Sequence, residues 1–89
     1  MSTTDDRLAR TILALTGERG PDSSICPSDA ARAVGGEGWR DLMDRTRAVA
    51  RDLAREGRVE VMSRGQVLSP EDTWHGPVRI RVRQAHGAP

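Results

Sequence analysis

The stretch WRDLMDRTRAVARDLAREG, residues 39–57, decides how this 89-residue chain is read. Apolar residues recur at Trp39, Leu42, Met43, Val49, Ala50 and Leu53, and at about 100° per residue they fall on one side of a helical cylinder. Asp41 in the first turn and Arg55 in the last suit the helix dipole, and Gly57 supplies a stop. The spacing predicts one amphipathic rod that begins at Trp39, with its apolar side resting on two earlier helices and a small sheet. Opposite that stripe, Arg40, Arg47, Arg51 and Arg55 lie within about 80° of one another and make a basic ridge.

Working back from Trp39, residues 35–38 read Gly-Gly-Glu-Gly, a tight connection of the kind that joins two helices. Before it, Pro27 suits the first position of a helix, where its missing N–H costs nothing. Residues 27–34 then form a second helix with Ala30, Ala31 and Val34 as its small packing face. Ile25 and Cys26 make a very short strand ahead of it. At the start of the chain, Thr3 and Asp6 resemble a capping box. Leu8, Ile12, Leu13 and Leu15 give an apolar stripe to a first helix over residues 4–16, ended by Gly17.

Beyond Gly57 the period changes from helical to alternating. Val59 and Val61 point one way while Arg58, Glu60 and Met62 point the other. Arg64-Gly65 reads as a hairpin turn and residues 66–68 as a short return strand. Residues 70–77 form a loop that carries Trp74 and His75, after which Val78, Ile80 and Val82 alternate with Arg79, Arg81 and Arg83 in a final strand. The expected domain spans residues 4–83, with residues 84–89 a frayed tail.

Helix, short strand, helix, glycine turn, long helix and then strands is the order of a winged helix-turn-helix. The expected class is therefore α+β, three helices plus a small antiparallel β-hairpin wing. The chain also resembles a small bacterial family of uncharacterised domains with that fold. The resemblance rests on Ile25-Cys26-Pro27-Ser28 with Ala31-Arg32, on Trp39-Arg40 with Leu42-Met43, and on Gly76-Pro77-Val78-Arg79, and it covers roughly residues 8–83. It implies a fold and no activity. Some relatives carry an added cysteine-rich, zinc-binding-like segment, to which the single cysteine of this chain has no counterpart.

Composition narrows the function classes. One cysteine forms no internal disulfide, and no apolar leader or long apolar run is seen, so a cytoplasmic protein that makes no use of a membrane is expected. All 14 basic residues are arginine, a bias that reads as GC-rich, bacterial coding. The net charge of +1 speaks against a general nucleic-acid binder. Its distribution softens this, since residues 1–44 carry five Arg and eight acids whereas residues 45–89 carry nine Arg and five acids.

The ridge of Arg40, Arg47, Arg51 and Arg55 would face the major groove of duplex DNA in a winged helix. As a plain solvated face it is partly self-satisfied, because Asp44 and Asp52 stand three residues before Arg47 and Arg55. Arg51 has only Arg47, Ala48, Ala54 and Arg55 as helical neighbours, and so lacks a local partner. Arg79, Arg81 and Arg83 recur at about 7 Å on one strand face, a spacing that suits phosphates and equally protects a sheet edge. Glu60 has room to pair with one of them. Trp74 and His75 either anchor a partner or, in the case of Trp74, cover the open end of a core that has no Phe or Tyr.

Cys26 precedes a helix N-terminus, where thiols become reactive, yet no His or acid has a catalytic partner's spacing, and a small buried residue is the reading preferred. Ser28 and Asp29 serve the helix start. No nucleophile and base pair is found, so no enzyme is expected. One Cys and two distant His make no zinc site, and no cofactor motif is present. Two functions stay open. One is nucleic-acid binding through the third helix and wing, with duplex nucleic acid as the partner. The other is a protein-interaction or dimerisation module that binds another protein or a second copy of itself.

Overall fold

The computed structural model describes residues 3–83. Its elements are α1 (Thr3–Arg19), α2 (Pro27–Gly35), a 3-10 helix (Gly36–Leu42), α3 (Met43–Arg55), β1 (Val59–Ser63), β2 (Gln66–Leu68) and β3 (Arg79–Val82). The expected tail at residues 84–89 lies outside the described residues.

α3 buries Thr46, Val49, Ala50 and Leu53, the i, i+3, i+4, i+7 pattern of one helical face. α1 buries Leu8, Ile12 and Thr16 one turn apart, and α2 buries Pro27, Ala30 and Ala31. The two buried threonines would leave orphaned hydroxyls in the core. Each instead donates to the carbonyl one turn back, Thr16 to Ile12 and Thr46 to Leu42, both at 2.7 Å. The helices pack on one another, with α1 against β3 and α3 against β1.

The sheet is antiparallel in the order β2-β1-β3. Cross-strand registers place Val61 opposite Leu68 on one side and Ile80 on the other, while Met62 faces Val67 and Arg79. Alternation sends Val59, Val61 and Ile80 inward, where they meet Leu8, Ile12, Ile25, Leu53, Trp74 and Val78 in one apolar cluster. Each fully buried Leu or Ile adds about 1.5–3 kcal/mol. Ile25 extends the sheet by one bridge, exchanging hydrogen bonds with Ile80 at 2.7 and 2.8 Å. The architecture is α+β, helices on one side of a three-stranded antiparallel sheet, and is compatible with the winged-helix order expected from sequence.

Several boundaries differ from expectation. Thr3 is helical and does not act as a cap of α1, which runs through Gly17 to stop at Gly20, whose φ is 78°. A lone interior glycine weakens a helix by only about 1 kcal/mol, which the packing of Leu8, Ile12 and Thr16 overrides.

The rod from Trp39 is the larger correction. Residues 36–42 form 3-10 turns with a kink at Gly38 (φ −87°, ψ 15°) in place of a four-residue turn followed directly by an α-helix, and α3 starts at Met43. Leu42 is pressed onto Gly35, where a Cβ would stand 2.7 Å from Leu42 Cδ1. That close approach holds the chain in the tighter winding. Arg40 is therefore not on α3, and Trp39 stands outside the core, half-buried between elements rather than beneath them. β3 starts one residue later than expected. Gly76, at φ 73°, and Pro77, which has no N–H to give a ladder, turn the chain away before it.

Candidate functional site

The arginines of α3 are the first place to look, and their side chains turn back onto the chain itself. Ser69-Pro70-Glu71-Asp72 forms a tight turn with Pro at its second position. Asp72 N–H donates to the Ser69 carbonyl at 3.0 Å and the Asp72 carboxylate accepts from Ser69 N–H at 3.1 Å. Three arginines of α3, one turn apart, donate to this turn and the residues that follow it: Arg51 to two turn carbonyls, Arg47 to the carbonyls of Trp74 and Gly76, and Arg55 to the Glu71 carboxylate.

Arg47 donates to the carbonyls of Gly76 at 3.2 Å and Trp74 at 3.1 Å. Arg51 donates to the Pro70 carbonyl and, at 2.7 Å, to that of Asp72. Its guanidinium also lies 4.1 Å from the Trp74 ring centroid, a cation–π contact of about 0.5–2 kcal/mol. Arg55 Nε donates to Glu71 at 2.9 Å, and its Nη1 reaches Asp52 at 3.3 Å. The hydrogen bond from Arg55 and its charge hold the Glu71 carboxyl below its ordinary range, and the same hydrogen bond and the Glu71 charge raise Arg55.

Loop and helix run in opposite directions, so that residues 69–76 are clasped along the ridge. Arg51 thus has partners that its helical neighbours do not reveal. Trp74 turns inward: it is 8 % exposed, belongs to the core cluster, and donates through Nε1 to the Ser69 carbonyl at 3.2 Å. It covers the end of the core and presents no anchor to solvent, whereas His75 is exposed.

Arg40 stays exposed and, together with Arg32, stacks on Trp39, with guanidinium carbons 4.7 and 4.5 Å from the ring centroid. The strand arginines separate. Arg81 pairs with Glu60 at 2.7 Å. Arg79 reaches across the sheet edge and donates to Ser24 Oγ and the Ser24 carbonyl, both at 2.9 Å, and to Cys26 Sγ at 2.7 Å. Arg83 lies just past β3, its Nη1 next to Gly57.

Cys26 is half-buried. Its N–H donates to the Asp29 carboxylate at 2.9 Å, and Asp29 N–H donates to the Cys26 carbonyl, also at 2.9 Å, so Asp29 serves the start of α2. Among the described residues there is no group of three or more His, Cys, Asp or Glu placed to hold a metal. No described helix is long and apolar enough to cross a membrane.

A second feature was not visible in the sequence. Pairing of β1 with β3 ends at Met62 and Arg79, while pairing of β1 with β2 continues to Ser63 and Gln66. Where residues 75–77 diverge from the hairpin, a groove of about 840 Å³ opens. The Gly76-Pro77 break is the one sequence signal that points to it.

Helices set on a three-stranded antiparallel sheet, with a polar clasp between α3 and the loop over residues 69–76, define a small α+β domain. The chain belongs to the family described as Protein of unknown function (DUF3253), which it matches over residues 5–83. No curated protein matches it.

Proposed function

We propose that this chain is a winged-helix-like, protein-docking module that does not read nucleic acid through α3. The winged-helix reading is supported by the order of elements and by Ile25 bridging to Ile80 as the short first strand of such a sheet. The docking reading is carried by the clasp. Arg47 and Arg51 spend their donors on loop carbonyls, and Arg55 spends its own on Glu71.

Charge along this face is balanced as well. Arg47, Arg51 and Arg55 are accompanied by Asp44, Asp52, Glu71 and Asp72 on the same helix and its loop, whereas Arg45 turns to Asp5 of α1. Binding to a nucleic-acid backbone draws on release of counterions by a net positive surface, which this face lacks. Enzymatic chemistry has no support from a paired nucleophile and base.

Fluorescence anisotropy of a labelled random 20-base-pair duplex at low salt tests the reading. No saturable binding is expected. Binding with a log–log salt slope near about −2.7, as three phosphate contacts would give, that is lost in Arg47→Glu/Arg51→Glu would overturn it in favour of nucleic-acid recognition by α3.

A further inference from the structure

Trp39 carries two cations. The guanidinium carbons of Arg32 and Arg40 lie 4.5 and 4.7 Å from the centroid of its ring. Arg32 comes from the last turn of α2, and Trp39 and Arg40 from the 3-10 segment that follows it. The junction between the two is close-packed, because Leu42 is pressed onto Gly35 and the Gly36 N–H donates to the Arg32 carbonyl. That junction fixes the backbone from which all three side chains spring.

Both arginines are exposed. Among the described residues, neither guanidinium donates a hydrogen bond or enters an ion pair. Asp29 stands three residues before Arg32, an ion-pairing position on a helix, yet its carboxylate accepts from the Cys26 N–H instead. Glu37 and Asp41, near in sequence, form no ion pair with Arg40. The cluster thus differs from the α3 arginines, whose donors are taken by loop carbonyls and by Glu71. A cation–π contact holds a guanidinium in place and consumes none of its five N–H donors. Two like charges gathered on one ring also repel each other, a repulsion that bound anions relieve. Trp39 lies outside the core cluster and is only half-buried, so it leaves apolar surface beside the two charges.

We propose that Arg32, Trp39 and Arg40 dock an acidic, extended segment of a partner protein, with a carboxylate on each guanidinium and an apolar side chain of that segment against the part of Trp39 that stays exposed. The inference rests on the protein-docking reading and gives it a place and a partner chemistry. Charge complementarity selects the occupant, since two cations without carboxylate partners take two anions. Both guanidinium carbons lie within 4.7 Å of one centroid, so acids about 7 Å apart on one face of an extended chain are spaced to reach both. Tryptophan and arginine are also the residues in which the binding energy of protein interfaces concentrates. A duplex backbone offers the charge but covers no apolar surface. Unpaired bases bind such a ring by stacking on its face, and a face that carries a guanidinium is already taken.

The test is an NMR titration of the ¹⁵N-labelled full chain with a ten-residue peptide alternating glutamate and valine, beside its lysine–valine counterpart and the random duplex. The chain has two tryptophans, so the indole N–H signal of Trp39 reads the cluster while that of Trp74 reads the core end. The acidic peptide is expected to shift the Trp39 indole and amides of residues 36–42 saturably and to leave the Trp74 indole in place. The basic peptide should shift neither. Arg32→Gln and Arg40→Gln, each at an exposed position, should weaken the acidic peptide at least about fivefold. Arg7→Gln, which removes the same charge from the exposed side of α1, should leave its affinity unchanged.

No binding of the acidic peptide, shifts confined to other residues, or an affinity indifferent to both substitutions would overturn the assignment while the docking reading stands. A duplex that shifts the Trp39 indole when the acidic peptide does not would overturn it in favour of a phosphate site. Only a duplex that shifts α3 amides, and no longer does so in Arg47→Glu/Arg51→Glu, removes the docking reading as well.

Discussion

Arg51 illustrates how a side chain that lacks a local partner finds distant ones. At three and four residues away it meets only arginines and alanines, yet the Pro70 and Asp72 carbonyls and the Trp74 ring surround it from 19 to 23 positions further along the chain. The ridge itself was legible because helical spacing puts Arg47, Arg51 and Arg55 in a row. Its partners were not, because nothing in the local pattern reports which loop folds over a helix. The Ser69-Pro70-Glu71-Asp72 turn was the available hint, since its carbonyls needed donors. Trp39 departs from the core role that its place on the apolar stripe suggests, whereas Trp74 covers the core end, as one of its two readings had it. The tryptophan on the apolar stripe stays half-exposed between Arg32 and Arg40, and the one in the loop enters the core.

Glu71 yields a pH dependence at this scale. Arg55 lowers its folded-state pKa by a hydrogen bond and by charge. A depressed carboxylate contributes stability above its unfolded value, about 4.3 for glutamate, and that contribution is lost as pH falls through the folded value. Both groups are exposed, so the effect should be small. Urea midpoints of the wild type and Glu71→Gln should differ at pH 6 and draw together toward pH 3. A gap of constant size across that range would mean that the pair has no part in stability.

At the level of elements, the end of α3 was read correctly from Gly57 alone. Gly57 N–H donates to the Ala54 carbonyl and Arg58 N–H to that of Leu53, both at 3.0 Å, the two bonds of a Schellman stop. Gly57 holds φ at 76°, and a Cβ there would stand 3.0 Å from Arg83 Nη1. Gly57→Ala should therefore cost about 1–2 kcal/mol for the left-handed backbone, measured by denaturant unfolding, and a variant as stable as the wild type would contradict the stop. The start of the same helix was misplaced because the apolar spacing through Trp39, Leu42 and Met43 does not distinguish 3.6 from 3.0 residues per turn over so few residues. What distinguishes them is the contact of Leu42 with Gly35, a feature of packing rather than of pattern. The strands were legible from alternation and the hairpin from Arg64-Gly65, whereas the groove arises from the divergence of two strands and has no periodic signature.

Over the whole molecule, the arginines of residues 45–89 divide between α3 and the sheet. On α3 the basic groups are spent internally, fastening residues 69–76 over the core end that Trp74 fills. On the sheet, Arg81 pairs with Glu60 and Arg79 is bonded to Ser24 and Cys26. The docking account depends on the first of these, because a loosely held loop would return the ridge to solvent and restore it as a surface for phosphates. Hydrogen exchange at the Trp74 indole N–H, which donates to the Ser69 carbonyl, reports the clasp directly. The expected result is slow exchange in the wild type and markedly faster exchange in Arg47→Ala/Arg51→Ala, while core amides of α1 keep their protection. A Trp74 indole that exchanges at the open-chain rate in the wild type, or one indifferent to the loss of both arginines, would contradict the account.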